Sequence, residues 1–184
     1  MPEAPEPALA ALAPELTWHI AGLAKLASPA LRVAYVAAPD ARAAAQVAAR
    51  LRAGTGMASP ITTALASRWI RGGVAGEVLQ AIRSEARARR RMAAEALGEA
   101  FAAPAEAFHL WLPLPAPWTR GAFQAALRSH DISVVPSDAF TILGEPPEAV
   151  RIGLGAPSTR ADLARALRTI AQVLEAPPAW SSYV

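Results

Sequence analysis

Residues 75–101 read as one long helix, preceded by Gly72-Gly73 and followed by Pro104, and no other segment constrains the fold as strongly. Val78, Ile82 and Ala86 begin an apolar stripe at helical spacing, and Ala93, Leu97 and Phe101 continue it. The texture of the chain changes across this helix. Upstream, "LTWHIAGL" (16–23) has the make-up of a short buried strand, and "LRVAYVAA" (31–38), bounded by Pro29 and Pro39, of a second. Asp40 is placed to cap a helix over 41–53 that Gly54 ends. Ser59 and Pro60 give a cap and a first-turn proline for the next, in which Ile61, Leu65 and Trp69 share a face.

Downstream the period falls to two. In "FHLWLPLP", Phe108, Leu110, Leu112 and Leu114 alternate with His109, Trp111 and Pro113, which describes an edge strand with one apolar face. A helix fits 118–129, and "DISVVP" fits a short strand. In "AVRIGLGAP", Val150, Ile152 and Leu154 face one way and Arg151 the other. Thr159 and Asp162 have capping-box spacing ahead of a last helix lined by Leu163, Leu167, Ile170 and Leu174. The tail "APPAWSSYV" is expected to be irregular. The expected organisation is therefore a Pro-rich, extended leading segment (1–15), an α/β layer (16–73), a connecting helix (74–103) and a small α+β domain (104–184) ordered β-α-β-β-α.

Composition removes several functional classes. There is no cysteine, which excludes disulfides, thiolate catalysis and zinc ribbons and suits a cytoplasmic setting. His19, His109 and His130 lie far apart and offer no metal pair at helical spacing. No apolar run is long enough for a membrane span, and the acidic start "MPEAPEPALAALAPEL" lacks the basic region of a signal peptide. Arg83, Arg87, Arg89, Arg90 and Arg91 crowd the long helix, yet no base-stacking aromatics interleave. They read as a solvated face with Glu85 paired to Arg89, and no direct nucleic-acid contact is expected from this portion. Trp111 and Trp118 read as packing or rim residues, and His19 as structural.

One residue stands apart. Lys25 is the sole lysine among 18 basic residues. Its amine can lose a proton and attack a carbonyl; a guanidinium cannot. It sits between two strand-like segments, with Arg32 opening the second. An aldehyde that also carries a phosphate calls for this pair: an amine for the aldehyde and a fixed cation for the phosphate.

The stretch "TWHIAGLAKLASPALRVAYVAAP" resembles the cofactor-lysine segment of fold-type I, class I/II aminotransferases, in particular the aminotransferase-like domain of MocR/GntR-type transcriptional regulators. The family pattern runs approximately Tyr-x-x-Ser-x-Ser-Lys-x-x-x-Pro-x-x-Arg-x-Gly-Tyr, and Lys25, Pro29, Arg32 and Tyr35 match it. Gly22 and Ala24 replace its two serines, and Ala34 its glycine. "HDISVVPSDAF" and "AVRIGLGAP" resemble the late small-domain segments, so the likeness extends over about residues 8–175.

The resemblance implies an α/β fold, the C-terminal portion of an aminotransferase-like fold: the end of the large-domain sheet, a long connecting helix and a small α+β domain. It implies pyridoxal 5′-phosphate as cofactor, with Lys25 as the catalytic Schiff-base lysine, Arg32 on the phosphate and Arg151 on the substrate α-carboxylate. Amino acids and 2-oxo acids would be the small-molecule partners, and a homodimer the assembly. The family's ring-nitrogen aspartate, its asparagine and tyrosine at the ring oxygen, and its stacking aromatic would all precede residue 1. The chain is thus expected to be truncated and a poor transaminase alone. Two readings stay open: an aminotransferase-like enzyme or amino-acid-sensing effector part of a MocR-type regulator, and a non-catalytic remnant serving as a folded effector or dimerisation module, which Gly22 and Ala24 favour.

Overall fold

The computed structural model describes residues 7–24 and 30–176. The chain divides into two compact units between Ala81 and Ile82, inside the long helix.

In the first unit the leading segment is not wholly extended as its prolines suggest. It forms a single helical turn, α1 (Leu9–Leu12), then a 3-10 turn, Pro14–Leu16, and the Thr17 hydroxyl donates back to the Ala13 carbonyl at 2.7 Å. Strands β1 (His19–Gly22) and β2 (Ala34–Ala37) pair antiparallel in the register His19↔Ala37 to Gly22↔Ala34. Both were expected to be buried. They are exposed along their whole length, because among the described residues they form a sheet of two strands with no layer packed over it. Two helices follow. In α2 (Ala41–Gly54) the Asp40 carboxylate accepts from the Ala43 amide at 2.7 Å and satisfies one of the unpaired first-turn donors. In α3 (Pro60–Arg71) Pro60 takes the first turn as expected, but the Ser59 side chain caps nothing. Leu23, Leu31 and Ala66 form a small buried cluster against which Trp69 packs.

The long helix, α4, covers Val74–Leu97 and stops short of 101 because Gly98 turns the backbone into the left-handed region (φ +68°). Its basic run is not a free face. Within the second unit Arg83 and Arg87 reach Glu106, Arg90 reaches Glu99, and Arg89 is buried. Arg89 donates to Glu85 at 2.7 Å and to the carbonyls of Leu154 and Pro157 at 2.8 Å each.

The second unit is the β-α-β-β-α arrangement read from the sequence: β3 (His109–Pro113), α5 (Arg120–Arg128), β4 (Val135–Pro136), β5 (Ala149–Gly153) and α6 (Arg160–Glu175). The sheet is antiparallel with order β3-β5-β4, so the proline-bearing β3 is an edge strand. "DISVVP" contributes only two strand residues. Leu110, Leu112, Phe123, Leu127, Val150, Ile152, Leu163, Leu167 and Ile170 fill the core between sheet and helices. Phe108 does not join its face of β3; it stays exposed beyond the strand end. Trp118 is buried, and its indole N–H donates to the Leu174 carbonyl at 3.2 Å. The capping box at Thr159 and Asp162 forms in both directions.

Glu85 joins α4 to the start of α6. Arg160 donates to it at 2.6 and 3.1 Å and Arg89 at 2.7 Å. The Arg160 hydrogen bonds, then those of Arg89, hold its carboxyl at about 2 instead of the ordinary 4.5. A carboxylate depressed in the folded state stabilises fully above its unfolded value, and that contribution is lost as pH falls through the folded one. Acid unfolding of wild type should therefore steepen between pH about 4.5 and about 2. Glu85→Gln should flatten that limb in a circular-dichroism pH titration; an unchanged limb would show that the cluster carries no pH-dependent stability.

Candidate functional site

Lys25 and Pro29 lie outside the described residues. The frame that carries them is described. The Leu23 amide donates to the Val33 carbonyl at 3.0 Å and extends the β1–β2 ladder by one step. Leu23, Leu31 and Val33 are buried at its foot, at 6%, 3% and 7% exposure. Arg32 falls between two of them and is therefore turned outward, exposed, with no described carboxylate as ion-pair partner. In the sequence the only lysine stands seven residues before this guanidinium. Tyr35, the last matching residue of the motif, is also exposed, on β2. A Cβ at Gly22 would meet nothing within 4 Å, so the missing serine is not excluded by crowding. The exposed Arg32 guanidinium, without a described carboxylate partner, is open to an anion such as a phosphate.

Arg151 belongs to the second unit. It lies at the middle of β5, opposite Trp111 of β3 and Val135 of β4. Its strand neighbours Val150 and Ile152 are buried, so its side chain leaves the core face, as its phase requires. The guanidinium carbon sits 4.8 Å from the centroid of the Phe140 ring, and Phe140 meets Trp111 edge to face at 5.8 Å and 72°. Of the second unit's described arginines, those at 83, 87, 89, 90, 120, 160 and 165 each pair with a carboxylate. Arg91, Arg128 and Arg168 are exposed, which leaves Arg151 as the half-buried one without an anion.

A groove of about 640 Å³ runs along α3, lined by Ala64, Ser67, Arg68, Arg71 and Gly72, and a hollow of about 500 Å³ surrounds Arg120, Asp138 and Glu148. Arg32 and Arg151 line neither. Sequence reasoning missed Phe140, which carries no periodic signal; it sits in a 3-10 turn, Ser137–Phe140, that only the fold brings against β5. Among the described residues no group of histidines and carboxylates could hold a metal ion, and no helix is long and apolar enough to cross a membrane.

No family model matches the chain. The HTH-type transcriptional regulator YdeF of Bacillus subtilis strain 168 is 27% identical over 173 residues, which is 93% of this chain and 37% of that protein. The solved structure of LysN, an α-aminoadipate aminotransferase from Thermus thermophilus complexed with N-(5′-phosphopyridoxyl)-L-leucine, superposes with a TM-score of 0.78 at 21% identity. That match covers 94% of this chain and 46% of LysN. Kynurenine aminotransferase of Pyrococcus horikoshii superposes at 0.73 with 16% identity, covering 85% of this chain and 40% of that one. The fold is thus a portion of the aminotransferase fold, and the chain spans less than half the length of the proteins it matches.

Proposed function

We propose that this chain is the pyridoxal-phosphate-binding and carboxylate-recognising portion of an aminotransferase-like protein, of the kind joined to a DNA-binding domain in MocR-type regulators. The observation that supports the reading is the exposed Arg32, without a described carboxylate partner beside the β1–β2 ladder, seven residues after the only lysine in the sequence. The regulator YdeF, aligned over nearly the whole chain, favours the regulatory setting over a free-standing enzyme.

Pyridoxal phosphate, when bound, supplies an aldehyde and an electron-withdrawing ring. This chain's residues would do the holding. The Lys25 amine would engage the aldehyde, which requires it to be unprotonated at the moment of attack. Arg32 would take the phosphate through charge-assisted hydrogen bonds, its guanidinium already turned outward by the buried residues on either side. Arg151 would take an α-carboxylate of an amino acid or 2-oxo acid in a planar, two-point contact. A homodimer is the assembly this reading favours. The second reading, a folded effector module without cofactor, rests on Gly22 and Ala24, which remove two hydroxyls from the phosphate side of the loop.

The two readings separate by absorption spectroscopy. Titration of the wild-type chain with pyridoxal phosphate should give a saturable visible band, and its absence would sink the cofactor reading. Arg32→Gln should weaken binding by roughly ten- to a hundredfold, the equivalent of one or two hydrogen bonds to a charged group. Gly22→Ser, for which there is room, should tighten it by about tenfold. If neither variant moves the affinity, the phosphate does not sit at this loop.

A further inference from the structure

We infer that Phe140, buttressed by Trp111, is the positioning residue that presents Arg151 to a carboxylate ligand. The inference rests on the carboxylate role proposed for Arg151 and adds the group that makes that role geometrically selective. Trp111 and Arg151 are direct cross-strand partners, and Phe140 closes the triangle on the same sheet face, 4.8 Å from the guanidinium and 5.8 Å from the indole.

The chemistry of this arrangement is specific. A guanidinium binds anions through the N–H groups in its plane, whereas an aromatic ring attracts it through its flat face. The Phe140 ring, 4.8 Å from the guanidinium carbon, offers no carboxylate or carbonyl to its donors, so they stay available for a two-point carboxylate contact. It also removes rotamer freedom that a ligand would otherwise have to remove. A carboxylate in the place of Phe140 would have satisfied those same donors and closed the site, as Glu148 and Asp138 do for Arg120. Here the ring contact is with Phe140, and the cross-strand partners on either side are Trp111 and Val135, neither of which carries a carboxylate to compete for the donors.

The experiment is an NMR titration of the full chain, reading the arginine side-chain N–H resonances, with pyruvate as the 2-oxo acid probe. Arg151→Gln identifies the Arg151 signal by removing it. In wild type that signal should carry a ring-current shift before any probe is added and should move on titration. Phe140→Leu should abolish the ring-current shift and weaken pyruvate binding by about threefold, while Phe140→Tyr should keep both near wild type. Phe140 is 45% exposed, so its replacement leaves the core intact, and unchanged circular dichroism checks this. A wild-type Arg151 signal that ignores pyruvate overturns the carboxylate reading, and this inference with it. A signal that responds to pyruvate equally in Phe140→Leu and wild type overturns the positioning role alone.

Discussion

Lys25→Ala should show no protein-bound visible band beyond that of free pyridoxal phosphate, at every concentration of cofactor. The reason is a matter of counting as much as placement. Lys25 is the only lysine in the sequence, so no surface ε-amine can capture the aldehyde in its stead and produce a background band. The one other amine is the chain's terminal α-amino group, and blocking it should not change the wild-type spectrum. Lys25→Arg should behave as Lys25→Ala does, because a guanidinium keeps its proton and is no nucleophile. A phosphate-only contact through Arg32 would survive in both variants, so they should still compete weakly for inorganic phosphate. A visible band persisting in Lys25→Ala would remove this lysine from the chemistry.

Phe123→Ala should cost the second unit about 3–5 kcal/mol. Phe123 is wholly buried, packs edge to face on Trp118 at 5.3 Å, and lies on the core face of α5 with Leu127. Its removal leaves a ring-sized void among Leu110, Leu112, Val150 and Leu167, side chains already fixed by sheet and helix. For a unit of this size the loss lowers the melting temperature by roughly 15–30 °C. Scanning calorimetry is the right measurement, because the two units have unequal cores and should not melt in one step. The transition that moves should be the one belonging to residues 82–184. Ile142→Ala, at a side chain 94% exposed, should move neither transition detectably. A shift of less than a few degrees in Phe123→Ala would mean that the core relaxes around the void.

The second unit was legible in the sequence because its elements are amphipathic and bury their own faces. Leu163, Leu167 and Ile170 line up at helical spacing and are buried; Leu110 and Leu112 alternate and are buried. Local chemistry fixed the caps at Asp40 and Thr159, since a capping side chain reaches only three residues, whereas Ser59 caps nothing and the Thr119 cap emerged only in the structure. The first unit was legible in element type and not in burial. An apolar run such as "LRVAYVAA" records that a strand is covered only when something covers it, and the described chain leaves Tyr35 and Val36 exposed. At the candidate sites the pattern is similar. Lys25, Arg32 and Arg151 stand out by residue type and phase. Phe140 does not, because its contact with Arg151 depends on a turn whose path no periodicity encodes.

The β1–β2 ribbon has a consequence for how the protein must be kept. Among the described residues each strand has one ladder partner, so its outer edge presents a row of amides and carbonyls with no described strand across from them. No lysine or proline within His19–Gly22 or Ala34–Ala37 interrupts either row, and Ile20 and Val36 stand exposed beside them. Such an edge accepts any extended segment offered to it, a neighbouring molecule's included. Crowding, more than heat, would then decide how long a solution of this chain stays clear.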